Sequence, residues 1–365
     1  MAFAPGLTKI LYKSVLRRAL FLVEAERVHN WAIWTGRFLG KFKFTRSLIK
    51  FCFDYRHSAL KQNILGINFE NPLGLAAGFD KNGYLIGILS SLGFGFTELG
   101  SVSGEFCAGN KKPRIWRLPK AKALQVNYGM PNEGCNKVYS RLSTEEFSIP
   151  LGVNIAKTNI PKFDGLTEGI GDYLKAYKAM QELGDYFTVN ISCPSTIGGR
   201  PFEQPENFRQ LIEVLNPCIA SKPLFVKLSP DLPQYQLSQI LDIALEFGVN
   251  GFICSNLSKE RIKQLQPKNP RGGVSGKPIE DSVNNQIKFV YKKVKDRAMV
   301  IGCGGVFSAE DAYKKIRLGA SLIQLITGMI YEGPQLIGEI NRGLVKLLQK
   351  DGYRSISEAI GIDNK

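Results

Sequence analysis

The sequence predicts an α/β fold: a (β/α)8 TIM barrel preceded by an N-terminal helical, membrane-associating extension. Three observations predict it. From residue 70 onward, eight short β-rich runs alternate with helical stretches over roughly 260 residues. The residues that follow those runs are almost all Gly, Ser, Asn, Thr or Lys, the composition of an active face at the C-terminal strand ends. The first fifty residues hold ten basic groups against only Glu24 and Glu26, half of the chain's net charge of +16. The division expected is residues 1–60 for the extension and 61–365 for the barrel.

In the extension, Tyr12, Leu16, Ala19, Leu20 and Val23 fall on one helical face and Lys9, Lys13 and Arg17 on another. A second helix is expected over Glu26–Leu39, carrying Trp31, Ile33, Trp34 and Phe38. No apolar run is long enough to span a bilayer, and basic residues interrupt any signal-peptide core. Two basic amphipathic helices with aromatic residues suit an anionic membrane surface. The residues alone leave open a helical hairpin packed on its own barrel, or a transit peptide. Nucleic acid is not expected, because no recognition motif accompanies the charge.

The barrel strands are expected near Leu73–Gly78, Gly95–Val102, Pro150–Ile155, Tyr186–Ile191, Leu224–Leu228, Gly251–Cys254, Met299–Gly302 and Ser321–Leu325. A doubly wound open sheet is the alternative, weakened because no Gly-x-Gly-x-x-Gly follows the first strand. Gly109, Asn110 and Pro113 point to an inserted hairpin around Cys107–Leu118.

The strand ends carry Ala77-Gly78, Gly100-Ser101, Asn154, Asn190, Lys227, Ser255-Asn256, Gly304-Gly305 and Thr327-Gly328. Asp80, beside Lys81, is the exception among them. The set lacks the paired carboxylates of a glycosidase. With seven scattered Cys, no CxxC and two His, it also lacks a metal-ligand cluster, so no metal is expected. Gly302-Cys303-Gly304-Gly305 after strand seven and Thr327-Gly328 after strand eight fit a phosphate site, and Gly272–Gly276 is expected as a third Gly-rich loop closing the same pocket. A mononucleotide flavin suits this lining, with Lys227 placed to offset negative charge on its reduced form. Cys193, ending the run Asn190-Ile191-Ser192-Cys193-Pro194, is a usable base near neutral pH. An isolated Cys there is otherwise a small buried hydrophobe.

Several motifs resemble the dihydroorotate dehydrogenase family. They are Asn71–Gly83 (NPLGLAAGFDKNG), Gly95–Val102 (GFTELGSV), Gly109-Asn110 with Pro113-Arg114 and Arg117-Leu118-Pro119, Gly152-Val153-Asn154, Val226-Lys227, Ser255-Asn256, Gly273–Pro278 and Gly302–Val306. The extension, with Glu26-Arg27-Val28-His29, resembles the membrane-associated, quinone-dependent class. The resemblance implies an FMN barrel that oxidises dihydroorotate to orotate in pyrimidine synthesis and passes electrons to a membrane quinone. It implies a peripheral membrane protein, on the cytoplasmic face of a bacterial inner membrane or at the mitochondrial inner membrane of a eukaryote. FMN is expected on Ala77, Gly78, Gly100, Ser101, Asn154, Asn190, Lys227, Ser255, Ser275, Gly276, Gly304, Gly305 and Thr327. Lys81, Asn190 and Asn256 are expected to hold the substrate, Cys193 to remove its C5 proton as the C6 hydride passes to the flavin, and His29 and Arg117 to lie on the quinone side. Four positions depart from the family pattern. Cys193 replaces the Ser of the quinone class, Val126 and Ser195 stand where two substrate amides are usual, and Ile326 stands where that class often has Tyr. The alternative functions are a flavin dehydrogenase of the same family acting on another substrate or acceptor, and a flavoprotein without turnover.

Overall fold

The computed structural model describes residues 4–364 apart from 220–221, 266 and 268–269. Eight parallel strands close into a barrel: β1 (Leu73–Leu75), β2 (Phe96–Val102), β3 (Leu151–Ile155), β4 (Tyr186–Asn190), β5 (Leu224–Leu228), β6 (Gly251–Cys254), β7 (Met299–Cys303) and β8 (Leu322–Leu325). Each pairs with its sequence neighbours, and β8 closes on β1 through Ile323–Leu73 to Leu325–Leu75. All eight expected strands are present, and closure excludes the open-sheet alternative.

The strands are buried on both faces, so their outward residues meet helices and their inward residues fill the barrel. Inward positions recur every second residue. Phe96 and Glu98 follow this step on β2, Tyr186, Thr188 and Asn190 on β4, Phe225 and Lys227 on β5, and Leu322 and Gln324 on β8. The lower layer is apolar, with Phe96, Tyr186, Phe225, Ile253, Ile301 and Leu322 packed together. A two-stranded hairpin, Gln62–Ile64 with Ile67–Phe69, plugs that end by placing Phe69 edge-on to Phe96 at 5.5 Å. Above that layer the inward residues turn polar, which is the first step in building the site.

The insertion after β2 forms a hairpin, but later in the chain than expected. Ile115–Leu118 pairs with Ala123–Val126, the turn lies at Pro119–Lys122, and Gly109, Asn110 and Pro113 belong to the loop leading in. The expected Gly-rich loop at 272–276 is a strand instead: Gly273–Gly276 is the third member of that sheet, antiparallel to Ala123–Val126. Gly residues with small neighbours are needed there because the chains run close; a Cβ on Gly272 would meet the Val126 carbonyl at 2.0 Å.

Among the described residues the N-terminal helices number three, not two. The first runs Ala4–Leu11, winds as a π-turn through Tyr12–Leu16 and continues Arg17–Leu22. The second spans Ala25–Gly40, with the Glu24 side chain accepting from the Glu26 N–H. The third, Lys43–Phe53, was not anticipated. Gly36 and Gly40 let the second helix lie directly on Leu85, Gly87 and Ile88 beside β1. The basic stripe expected to face a membrane is turned inward: Lys9 pairs with Glu339 at 2.8 Å, Lys13 with Glu332, and Arg17 donates to the Tyr331 carbonyl at 2.9 Å. Large aromatic and aliphatic residues face outward beside the remaining basic ones. Trp34, Phe44 and Phe51 are 68, 78 and 80% exposed, accompanied by Trp31, Phe38, Phe42 and Leu48.

Phe69→Ala is expected to cost about 3–5 kcal/mol by leaving a void at the barrel floor, read as a lower denaturant midpoint, while ligand affinity at the opposite end stays unchanged.

Candidate active site

The polar layer of the barrel starts from Glu98, which is fully buried on β2. Its carboxylate accepts from Asn154 Nδ2 (2.7 Å), Gln324 Nε2 (2.7 Å) and the Tyr186 hydroxyl (3.4 Å). Asn154 is thereby oriented so that its carbonyl accepts from the Ser101 hydroxyl, and Ser101 Oγ accepts from Asn190 Nδ2 at 2.9 Å. Asn190 Oδ1 in turn accepts from Asn256 Nδ2 (3.2 Å) and from Ser192, whose hydroxyl also reaches the Lys227 carbonyl at 2.8 Å. One hydrogen-bonded network therefore fixes the side chains at the ends of five strands.

A cavity of about 780 Å³ opens above this network. Of the residues expected to hold cofactor, Ala77, Gly78, Ser101, Asn190, Lys227, Ser255, Ser275, Gly276, Gly304, Gly305 and Thr327 line it. Asn154 and Gly100 sit one layer behind, supporting Ser101. Lys81, Cys193 and Asn256 line the same cavity, as do His29 and Arg117 on its N-terminal side. The residues present fit a phosphate-bearing, electron-rich ring. Ser255 Oγ is buried at the cavity wall with no hydrogen-bond partner, an orphan that a ligand would satisfy. Lys227 is 4% exposed and no carboxylate pairs with it among the described residues. Gly276 (φ +98) and Gly305 (φ +71) adopt backbone that only Gly takes readily, and Cβ atoms there would meet Lys122 and Glu280. Ser275 Oγ and Thr327 Oγ1 lie 2.8 Å apart beside them.

Cys193 sits on the loop after β4. That loop is held at its far end by Arg200, which donates to Ser229 Oγ (2.7 Å) and pairs with Asp231 (3.5 Å). It is held near its middle by Asn110, donating to the Ser195 carbonyl (3.0 Å), and by Asn159, accepting from the Ile197 N–H (2.6 Å). Burial pushes the Cys193 thiol up, against the pull of the Ser195 N–H, Arg200 and Lys259. Lys81 lies opposite. Burial, and then the charge of Arg114, bring its ammonium down to about 7, against Asp80, Glu26 and Cys193. Asp80 itself accepts from the Tyr84 (2.9 Å) and Leu85 (2.6 Å) N–H groups and so fixes the turn that presents Lys81.

The N-terminal helices roof the cavity. Tyr12, Leu16 and Leu20 of the first, Val28, His29 and Ala32 of the second and Ile49 and Phe53 of the third line its outer, apolar part. His29 is edge-on to Phe79 (4.9 Å) and Tyr128 (6.3 Å); burial, then Lys81, bring its imidazole down to about 3, so it is neutral here. Arg117 donates to the Val23 carbonyl at 2.6 Å and lies over Phe21.

Three elements escaped sequence reasoning as site residues. Glu98 was visible only as part of a motif, and its role depends on closure of the barrel. The buried Glu26–Arg114 pair needs two segments 88 residues apart, with Arg114 Nη2 to Glu26 Oε1 at 2.8 Å. Tyr128, against both Lys81 (3.8 Å) and Arg114 (4.7 Å), carried no signal beyond being aromatic. The departures Val126 and Ser195 are neighbours: Ser195 Oγ donates to the Val126 carbonyl at 3.3 Å, and both face the cavity. Met130, Pro194 and Leu257 continue that apolar wall.

The family model described as dihydroorotate dehydrogenase matches residues 59–348. A protein named dihydroorotate dehydrogenase (quinone) from Trichormus variabilis is 38% identical over 97% of this chain and 99% of its own. One of the same name from Haloarcula marismortui is 42% identical over 82% and 84%. The crystal structure of dihydroorotate dehydrogenase from Eimeria tenella in complex with ferulenol superposes with a TM-score of 0.84 at 29% identity, covering 94% of this chain and 96% of that one.

Glu98→Gln replaces one accepting oxygen by an amide N–H₂ that opposes the donors on that side, Asn154 or else Gln324 and Tyr186, and is expected to destabilise the protein by about 1–3 kcal/mol, seen as a lower melting temperature together with loosened retention of the bound cofactor.

Proposed function

The chain belongs to the dihydroorotate dehydrogenase family, and on that premise we propose that it oxidises (S)-dihydroorotate to orotate with FMN and passes the electrons to a membrane quinone. The observation that carries this reading is the single continuous cavity, which joins Lys81, Cys193 and the strand-end polar layer to an apolar passage under the N-terminal helices.

FMN would be held by Ser255, Lys227, Ser101 and Asn190 along its ring and by Ser275, Gly276, Gly304, Gly305 and Thr327 at its phosphate, with Ala77, Gly78, Gly100 and Asn154 completing the seat. Bound there, it supplies the hydride acceptor. Lys81 holds the substrate carboxylate, and Asn190 and Asn256, tied together at 3.2 Å, present amide groups to the substrate ring. Cys193, as thiolate, takes the C5 proton. The Pro194 and Leu257 wall keeps water from the reacting carbons. His29 and Arg117 border the passage on the quinone side.

Residues 1–60 form the membrane-facing unit and 61–365 the catalytic one. No described helix is long and apolar enough to cross a membrane. The exposed Trp and Phe side chains instead suit burial at the lipid interface, with Lys41, Lys43 and Lys50 exposed near them for anionic headgroups. These features support a peripheral position at the inner membrane, on the cytoplasmic face in a bacterium or at the mitochondrial inner membrane in a eukaryote.

The test is anaerobic mixing of flavin-loaded protein with dihydroorotate. Rapid bleaching of the flavin absorbance is expected, and a loaded protein that stays yellow overturns the reading. In Cys193→Ala the bleaching rate is expected to fall by roughly 10²–10⁴-fold with flavin content unchanged. In the wild type, the rate is expected to rise as pH increases through neutrality, because the raised thiol is mostly protonated there. The KM for dihydroorotate is expected to rise above about pH 7, where Lys81 loses its charge. Phe44→Glu with Phe51→Glu is expected to weaken binding to anionic vesicles by more than tenfold, since each removed about 1.5–3 kcal/mol of apolar burial in the interface, without changing the half-reaction with dihydroorotate in solution.

A further inference from the structure

The second N-terminal helix reaches the substrate pocket through a chain of charged and aromatic contacts that the reaction does not require. Glu26, on its first turn, is almost fully buried. Its carboxylate receives Arg114 at Nε (3.1 and 3.2 Å) and Nη2 (2.8 Å), and the exposed Lys112 ammonium at 3.3 Å. Arg114 is fixed in turn by donating to the Ala108 (2.8 Å) and Asn110 (3.0 Å) carbonyls. Its guanidinium lies 4.7 Å from the centre of the Tyr128 ring, and Lys81 Nζ lies 3.8 Å from the centre of the same ring. Two cations thus share one aromatic ring inside a cavity wall, and one of them has its counter-charge on a separate helix.

We infer that Glu26 and Arg114 are positioning residues for the substrate site: across Tyr128 they couple docking of the second N-terminal helix to retention of the substrate carboxylate at Lys81. The inference rests on the reading of Lys81 as the carboxylate ligand.

With the helix docked, Glu26 offsets Arg114, and Lys81 keeps its proton into the neutral range. With the helix lifted, Arg114 faces Lys81 across Tyr128 without that offset. The ammonium then becomes the weakest-held charge of the group, and its affinity for a carboxylate falls. The coupling runs both ways. An anion on Lys81 offsets the same positive field and so favours the docked helix. Occupancy of the substrate pocket and closure of the apolar passage that the helix roofs therefore support each other. The other groups facing Lys81 do not provide this link. Asp80 is committed to the Tyr84 and Leu85 N–H groups. The Cys193 thiol is held neutral by burial, His29 is neutral, and the Tyr128 phenol is pushed up by burial.

The test is orotate binding to the full-length, flavin-loaded enzyme by calorimetry, followed across the neutral and mildly alkaline range. The variants are Glu26→Gln, Arg114→Gln, Arg114→Lys, Lys112→Gln and Lys81→Met. Glu26→Gln removes the offset, so the alkaline loss of affinity is expected at lower pH, by about half a pH unit or more. Arg114→Gln removes the opposing cation, so the loss is expected at higher pH. Lys112→Gln, on an exposed side chain whose loss does not threaten folding, frees Glu26 from its second cation and is expected to move in the same direction as Arg114→Gln, by a smaller step. Arg114→Lys keeps the charge and is expected to leave the profile near that of the wild type. A purely structural staple would make Glu26→Gln and Arg114→Gln move affinity in the same direction, because either variant breaks the pair. That result, or profiles that do not move, overturns the inference. Lys81→Met separates this outcome from failure of the premise: if Lys81→Met binds orotate as tightly as the wild type, it is the assignment of Lys81 that falls.

Discussion

The arrangement of the site depends on one buried carboxylate. Glu98 lies at the boundary between the apolar floor of the barrel and its polar upper layer, where an unpaired charge would be prohibitive. It is tolerated because Asn154, Gln324 and Tyr186 all donate to it, from three other strands. This fixes more than its own position. An amide that gives its N–H₂ to Glu98 must turn its carbonyl towards Ser101, and that orientation passes through Asn190 to Asn256 and Ser192. The orientations of donors and acceptors at the mouth are thus set from below, before any ligand arrives. Such preorganisation lets a polar layer recognise an amide-rich ring without reorganising on binding.

The upper wall is organised on the opposite principle. Three helices lie over the barrel mouth, and their inward charges are spent on it: Lys9 on Glu339, Lys13 on Glu332, Arg17 on the Tyr331 carbonyl. The stripe that the sequence suggested for a membrane is therefore mostly the glue that holds the first helix to the last barrel unit. What remains outward is Phe44, Leu48 and Phe51 along the third helix, spaced one and two turns apart, with Trp31 and Trp34 on the second. A surface of this kind is stabilised by entering an apolar phase rather than by charge alone. An amphiphile that entered beneath the same helices would reach the barrel mouth without crossing water.

The barrel was legible because burial on both faces writes continuous β-branched and aromatic runs into the sequence, and because Gly, Ser, Asn and Lys collect at their ends. The site residues followed from that placement and from the motif likeness. What the sequence hid has a common cause. The third helix, Lys43–Phe53, mixes basic and aromatic residues in a pattern that makes sense only when Phe44, Leu48 and Phe51 stay outward and Ile49 and Phe53 meet the cavity. The strand at Gly273–Gly276 looked like a loop because its glycines serve close approach to Ala123–Val126, a partner about 150 residues away. Glu26–Arg114 is likewise invisible without the fold. Local periodicity reports on elements; pairings between distant segments are set by closure.

The identity of the base bears on how the charges are shared. The Cys193 thiol in this loop is pushed up by burial, so it is neutral at rest. If Lys81 takes the substrate carboxylate, as proposed, that carboxylate would offset its charge and weaken its pull on a thiolate. The positive field that favours the thiolate must therefore come from the loop's own frame: Arg200, clamped to Ser229 and Asp231, Lys259 beyond it, and the Ser195 N–H. These groups are separate from Lys81, so under the proposed roles binding and proton removal would draw on different charges. The same loop carries Ser195, whose hydroxyl donates to the Val126 carbonyl at the cavity wall. The departures at 193, 195 and 126 thus share one wall. On it the thiol proposed as the base stands beside apolar Val126, Met130, Pro194 and Leu257, and a less polar wall of this kind raises the value of each fixed charge that remains.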